Sequence, residues 1–419
     1  MRTLYHKRGA LVGMVAAGAL ALTPLTATQA DEPIRIGYID PLSGPFADVG
    51  HAGLNHFRFA AERINDEGGI LGRAVEIVPY DNQQSPSESA SHVQRATGRG
   101  IQFVTQGNGS NIAGAILEAV DRNNRRNPDN RVLYLNYAAV DPAFTNERCS
   151  FWHFRFDAES TMKIEALTTY MADLDDVQKV YLLNQDYSHG HVIEQAAEEM
   201  LAEKRPDIEI AGKTLHPIGQ VRDFAPYVSR IRGSGADSVI TGNWGSDLAL
   251  LVREADSAGL DVNFYTYYGG GLGVPAAIGD RGVDRVLQIT EWHANVNVEE
   301  DQPEYAEWVD AFKERYPDID WYYHRIYNQM YMLKAAIEEA GTTEPKDVAS
   351  ALAGMEFESP TGTVHMREDD HQLQQPLYLS IMDDDVEYDV ENTGVGFRTL
   401  AKISSEDAML PTTCEMERP

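Results

Sequence analysis

Residues 34–50 read IRIGYIDPLSGPFADVG, and residues 65–72 read NDEGGILG. Together they spell a strand, an irregular loop, a helix and a helix stop. Ile34, Ile36, Tyr38 and Ile39 form an apolar run of strand length. Pro41, Ser43, Gly44 and Pro45 are turn formers, so the chain leaves this strand through a loop rather than a tight hairpin. Residues 50–67 have helical spacing, with Leu54, Phe57, Ala61 and Ile64 on one face. Gly68-Gly69 then supplies the left-handed backbone that ends helices. A loop at the carboxyl end of the first strand of an α/β unit is where such folds hold small molecules. Residues 42–49 are therefore the first candidate site.

Working outward, strand and helix alternate along most of the chain. Apolar runs at 75–78, 101–105 and 131–135 are separated by helical stretches at 88–97 and 112–123. After Asp157 the pattern resumes: strands at 180–183, 208–211, 238–241 and 264–267 alternate with helices at 191–202, 224–231 and 248–258. Such alternation implies right-handed crossovers and parallel sheets covered on both faces, an α/β fold with two lobes. The stretch between the two series is aromatic, with Phe151, Trp152, Phe154 and Phe156. A third part starts near Val286 with a strand at 286–290 and helices at 303–316, 325–340 and 346–353. Beyond Glu358 short strands follow at 362–365 and 376–382, so the tail is β-rich. The length of 419 residues agrees with two domains.

The amino terminus reads as an export signal. Arg2, Lys7 and Arg8 precede 13 small or apolar residues at 10–22, and Thr28-Gln29-Ala30 is a small-x-small cleavage site. That run is too short to span a bilayer. The expected signal peptide is 1–30, with the exported mature chain starting at Asp31. The whole chain carries a net charge of −30, and removing those three basic residues makes it more negative still. Such a field excludes nucleic acid and anionic membrane as partners. Cys149 and Cys414 are the 2 cysteines; an even pair in an exported chain reads as a disulfide, tying the tail to the loop before Phe151.

At this level of detail the sequence resembles a known family. IGYIDPLSGPFADVG, INDEGGILGR, VEIVPYDNQQSP and DSVITGNWGSDLALLVREADSAGL are similar to segments of the periplasmic substrate-binding proteins of branched-chain amino-acid-type ABC importers, and the similarity extends from Ile34 to about Met382. The resemblance implies the two-lobed type I periplasmic binding fold, each lobe a mostly parallel sheet flanked by helices, joined by three crossing strands near 154–157, 287–290 and 359–364. Lobe 1 is then 31–156 with 287–360, and lobe 2 is 157–286 with 361–419. It further implies a small molecule gripped by lobe closure, delivery to inner-membrane permease subunits, a monomer, no cofactor and no catalysis.

By the same resemblance, the binding residues sit on loops at strand ends facing the cleft. From lobe 1 these are Phe46 as an apolar wall; Asn108, Gly109, Ser110 and Asn111, at a helix start suited to a carboxylate; and Tyr137, Ala138 and Ala139. From lobe 2 they are Tyr187, Trp244, Tyr267 and Tyr268. Two departures bear on the ligand. Val140 stands where leucine-binding relatives have a hydroxyl, and no acidic residue stands near Tyr268 to pair with an ammonium group. Asp48, Asp186 and Asp247 are the candidates for the missing charge. A small amino acid or related carboxylate, an aromatic or other non-amino organic acid or amide, and a role as a sensory ligand-binding protein are all left open.

Other chemistries lack their signatures. The run Gly269-Gly270-Gly271-Leu272-Gly273 has no following Lys-Ser/Thr and is no phosphate loop. The acidic turn at 383–389 lacks the glycine and glutamate of an EF-hand. His189, His191, His365 and His371 lack zinc spacing. Ser110 is not in a nucleophile elbow, so a hydrolase is disfavoured.

Overall fold

The strand β1 (Ile34–Asp40) is buried along nearly its whole length, as suits a strand covered on both faces of a parallel sheet. The computed structural model describes residues 32–271 and 273–419, together with Met1, Thr3 and Leu4; the rest of the expected export segment lies outside the described residues. Helix α1 (Ala47–Asp66) starts slightly earlier than its apolar spacing indicated and ends at the glycine pair. Gly68 and Gly69 have φ of 104° and 77°, and the Gly69 N–H donates to the Ile64 carbonyl. β2 (Val75–Asp81), α2 (Pro86–Thr97), β3 (Phe103–Gln106), α3 (Ser110–Arg126), β4 (Leu133–Asn136) and β5 (His153–Arg155) complete the first series. Its strands pair in the order β2-β1-β3-β4-β5, all parallel.

The second series comprises α4 (Ser160–Ala172), β6 (Lys179–Gln185), α5 (Ser188–Lys204), β7 (Glu209–His216), α6 (Ala225–Ser234), β8 (Ser238–Thr241), α7 (Ser246–Ser257), β9 (Asn263–Thr266), α8 (Val274–Ile278) and β10 (Val286–Thr290). Its strands run β7-β6-β8-β9-β10, parallel, repeating the order of the first sheet. Then follow α9 (Val296–Glu299), α10 (Pro303–Arg315), α11 (His324–Ala340), α12 (Pro345–Leu352) and a small antiparallel sheet of β11 (Glu356–Ser359), β12 (Gly362–Met366) and β13 (Leu373–Gln374). β14 (Leu377–Asp383) and β15 (Gly396–Ile403) add antiparallel to the edge of the second sheet.

Each sheet is covered on both sides. Phe57, Ile64, Met330 and Leu333 lie in one core against the first sheet, and Val93, Ile116 and Val120 in another. Ile164, Leu167 and Ile193 pack on one side of the second sheet, with Val228, Leu251 and Val252 on the other. The chain passes between the two bodies after β5, after β10 and after β13. Two of these passages lie later than the sequence suggested. Residue 287 falls inside β10, which is hydrogen-bonded to β9 and β14, so the chain leaves the second sheet only after Thr290. Residue 361 falls in the β11–β12 hairpin, whose Val364 and Met366 are buried with α11 and α12; the crossing comes near Gln375.

Cys149 and Cys414 are joined in a disulfide, Cα atoms 5.8 Å apart. Ala408 is buried in the second body, whereas Thr412 Oγ1 donates to the Thr145 carbonyl (2.6 Å) and Thr413 N–H to Asn146 Oδ1 (2.9 Å) in the first. The tail thus spans both bodies. In denaturant without reductant, maleimide labelling is expected to find no free thiol, and 2 after reduction; labelling before reduction contradicts the bond.

Candidate functional site

In both sheets the strand order reverses beside the first strand of the series, between β1 and β3 and between β6 and β8. The crevice at such a switch point is where strand-end loops can hold a small molecule. Here the two crevices face each other.

In the first body the floor is built on Asp40, the last residue of β1. Its carboxylate accepts N–H groups from Gly107 (3.2 Å) and Asn108 (3.0 Å) and the hydroxyl of Tyr137 (2.8 Å). Burial pushes its pKa up to about 7, although these three donors favour the charged form. Asn108 Nδ2 donates to Tyr137 Oη at 2.9 Å. A Cβ on Gly107 would lie 2.6 Å from the Tyr137 ring, so only glycine lets the loop lie flat there. This arrangement fixes the loop that opens α3, whose N-cap Gly109 has φ 97° and leaves the helix's first N–H groups without a side-chain cap.

The second body presents Tyr187 at the start of α5, Trp244-Gly245 after β8, and Tyr268 after β9. Trp244 Nε1 donates to Tyr187 Oη at 2.9 Å. His189 Nδ1 lies 2.7 Å from Ser160 Oγ, and burial lowers the histidine's pKa to about 3, so the ring is neutral. Between the bodies lies a cavity of about 40 Å³. Of the residues expected from sequence, Asn108, Gly109, Ser110, Ala138, Ala139, Tyr187, Trp244 and Tyr268 line it.

Four expected residues do not. Asn111 points away on the exposed side of α3. Tyr137 is under the floor, as described. Tyr267 donates its hydroxyl to the Ser160 carbonyl (3.1 Å) and packs edge-on against His189. Phe46 is a contact between the bodies: its ring is 4.2 Å from that of Trp244 and sits beside Gly245 and Gly219. An aromatic pair is worth roughly 0.5–1.5 kcal/mol beyond the area it buries. Phe46→Ala is accordingly expected to weaken binding of a cleft ligand about tenfold, read by titration calorimetry against the unsubstituted chain; equal affinities contradict the contact.

Val49, from the first candidate loop, and Gly107, Gly245 and Gly271, from other expected loops, also line the cavity; sequence reasoning missed His189 and, above all, Tyr322, Tyr323 and Arg325 at the start of α11. Beneath Tyr268 lies a fully buried group of four charges. Asp157 pairs with Lys163 (2.7 Å) and Arg325 (2.5 Å), and Arg325 also pairs with Glu291 (3.1 Å). The Tyr268 hydroxyl donates to Asp157 Oδ2 at 3.2 Å. Asp157 and Glu291 sit on the first two passages between the bodies, Lys163 on α4 and Arg325 on α11. Among the described residues no carboxylate lines the cavity. The three candidates for that charge are elsewhere: Asp48 is exposed, Asp186 pairs with His191 (2.8 Å), and Asp247 accepts from Gln185 Nε2 and Gly219 N.

Two α/β bodies joined at a hinge, with facing switch-point crevices around a cavity, define a clamp for a small solute. Residues 33–386 match the family model described as periplasmic binding protein, and the chain belongs to that family. It is 31% identical over 417 residues to the Leu/Ile/Val-binding protein homolog 4 of Brucella abortus (strain 2308), covering 97% of each chain. A leucine-, isoleucine-, valine-, threonine- and alanine-binding protein from Brucella ovis, crystallised in a closed conformation, superposes with a TM-score of 0.81 at 28% identity, covering 92% of this chain and 100% of the other. A solute-binding protein of an ABC transporter from R. palustris, in complex with benzoate, shares the fold: TM-score 0.76, 17% identity, 91% and 99% covered. The family consists of solute carriers that serve ABC importers in the periplasm and are not enzymes. Among the described residues no helix is long and apolar enough to cross a membrane.

Proposed function

We propose that this chain captures a small amino acid or related carboxylate in the periplasm, closes its lobes over it and delivers it to its cognate permease. The observation that carries this reading is the cavity enclosed jointly by the loops after β3 and β4 and those after β6, β8 and β9. Asn108, Gly109 and Ser110, at the start of α3, offer backbone donors to ligand oxygens, and Ala138, Ala139, Tyr187, Trp244 and Tyr268 form the walls. Tyr137 and Tyr267 support that shell from behind, and Phe46 favours closure. The lobes divide as 32–156 with 291–375 and 157–290 with 376–419. The chain works as a monomer, takes no nucleic acid partner, and is exported through a signal peptide cleaved after Ala30.

A second reading is favoured by one observation. With no carboxylate in the lining among the described residues, a buried ammonium group would cost several kcal/mol, on the order expected for an unpaired ion. The same clamp then takes an aromatic or other organic acid. Titration calorimetry with leucine, phenylalanine and benzoate separates the two: heat from leucine with benzoate silent supports the amino-acid reading, and the reverse supports the second. Silence from all three, extended to a thermal-shift screen of small acids, contradicts both.

A further inference from the structure

The guanidinium of Arg325 is fully buried yet only partly used. Its Nη1 serves both Asp157 and Glu291. Its Nε and Nη2 find no acceptor among the described residues. Nε and Nη2 together form the planar edge that takes a carboxylate through two parallel hydrogen bonds. Leaving such donors buried and unpaired is costly, so a side chain held in this way stores an unmet preference for an anion. The position is fixed rather than mobile: the guanidinium carbon lies 5.2 Å from the Tyr323 ring centre and 5.8 Å from those of Tyr322 and Tyr268. Arg325, Tyr322, Tyr323 and Tyr268 all line the cavity between the lobes.

The first turn of α3 points the same way, because its N–H groups carry no side-chain cap and also favour an anion. Two anion-seeking features therefore meet in one cavity, the free edge of Arg325 and the uncapped start of α3, with no lining carboxylate among the described residues to receive a cation.

We propose that Arg325 is the carboxylate anchor of this site, and that the ligand is a small organic acid without an ammonium group. The inference rests on the solute-carrier reading and narrows its substrate class. The acid's carboxylate lies on the Nε–Nη2 edge, its apolar body lies among the tyrosines, and a second oxygen function reaches the start of α3.

The test uses the full mature chain and matched probes: benzoate against benzamide, and 3-phenylpropanoate against phenylalanine, by titration calorimetry at pH 7. At least one acid is expected to bind about a hundredfold more tightly than its uncharged or ammonium-bearing counterpart, as two charge-assisted hydrogen bonds imply. Arg325→Lys keeps the charge facing Asp157 and Glu291 but removes the fork, and is expected to weaken the acid at least about tenfold. If that variant does not fold, a crystal structure of the unsubstituted chain with the acid decides, since it shows where the carboxylate lies. A carboxylate seated on the first turn of α3, away from Arg325, overturns the inference and leaves the carrier reading standing. So does binding of phenylalanine or leucine with both acids silent. Silence from every probe overturns the inference and counts against the reading of the cleft as well.

Discussion

Lowering the pH from 7 to 5 is expected to remove a large part of the stability of this protein. His56, His189, His293, His324 and His371 are buried, and burial lowers the pKa of each to about 3. In the unfolded chain they titrate near 6.5. A base whose folded pKa is depressed contributes fully above the unfolded value and loses that contribution as the pH falls below it. At pH 5 each histidine then costs about 2 kcal/mol, roughly 10 kcal/mol for the set, at 1.36 kcal/mol per pKa unit. Asp40 acts in the opposite sense. Its folded pKa of about 7 lies above the unfolded 3.8, so protonation at lower pH returns roughly 2 kcal/mol. Glu159, Glu291 and Glu391, whose pKa values burial also raises, act in the same sense as Asp40, and His153, lowered by burial, acts with the other histidines; the loss is on the order of several kcal/mol, a large part of the stability of a typical domain. Urea midpoints measured from pH 8 to 4.5 should fall steeply below 6.5. A flat profile down to pH 5 would show that these histidines ionise without unfolding the protein.

Asp157→Asn is expected to cost about 3–5 kcal/mol, the usual penalty for breaking a buried ion pair from one side. Asp157 meets both cations of the buried group, Lys163 at 2.7 Å and Arg325 at 2.5 Å, and accepts from Tyr268. Removing its charge leaves two buried cations facing Glu291 alone. Lys163→Met on that background removes one uncompensated charge and is expected to recover part of the loss. The double-mutant cycle in urea thus gives a large positive coupling. If the two substitutions simply add, the group of four is not a unit.

Much of this could be read before any coordinates. The alternation of apolar runs with helical spacing, and the glycine pair after α1, depend on local chemistry that a sequence displays directly. Loops at strand ends are equally legible, and together with the family resemblance they put Asn108, Ser110, Tyr187, Trp244 and Tyr268 at the cleft, where all five line the cavity. Residues that reach it through long-range packing are not legible in this way. Arg325 opens a helix that reads as ordinary covering for the first sheet, and only the return passage after β10 brings its first turn to the cavity. Lys163 lies in α4, a helix with no clear apolar stripe because it is buried on several sides, and a lysine there reads as a solvent face until Asp157 is seen beside it. Phe46 was legible as an apolar residue of the right loop, but its role depends on the orientation of the other body. The second and third passages were displaced because β10 and the β11–β12 hairpin belong by pairing to bodies that apolar runs alone do not distinguish.

The disulfide has a mechanical meaning. β15 belongs to one half, while eleven residues later Cys414 is anchored to the other through Cys149. The free part is shorter than that: Ala408 is buried with the first of these halves and Thr412 is already bonded to the other, a span of at most about 14 Å when drawn out. The tail is thus a fourth tie between the halves beside the three passages of the chain, and the covalent bond holds its far end in place.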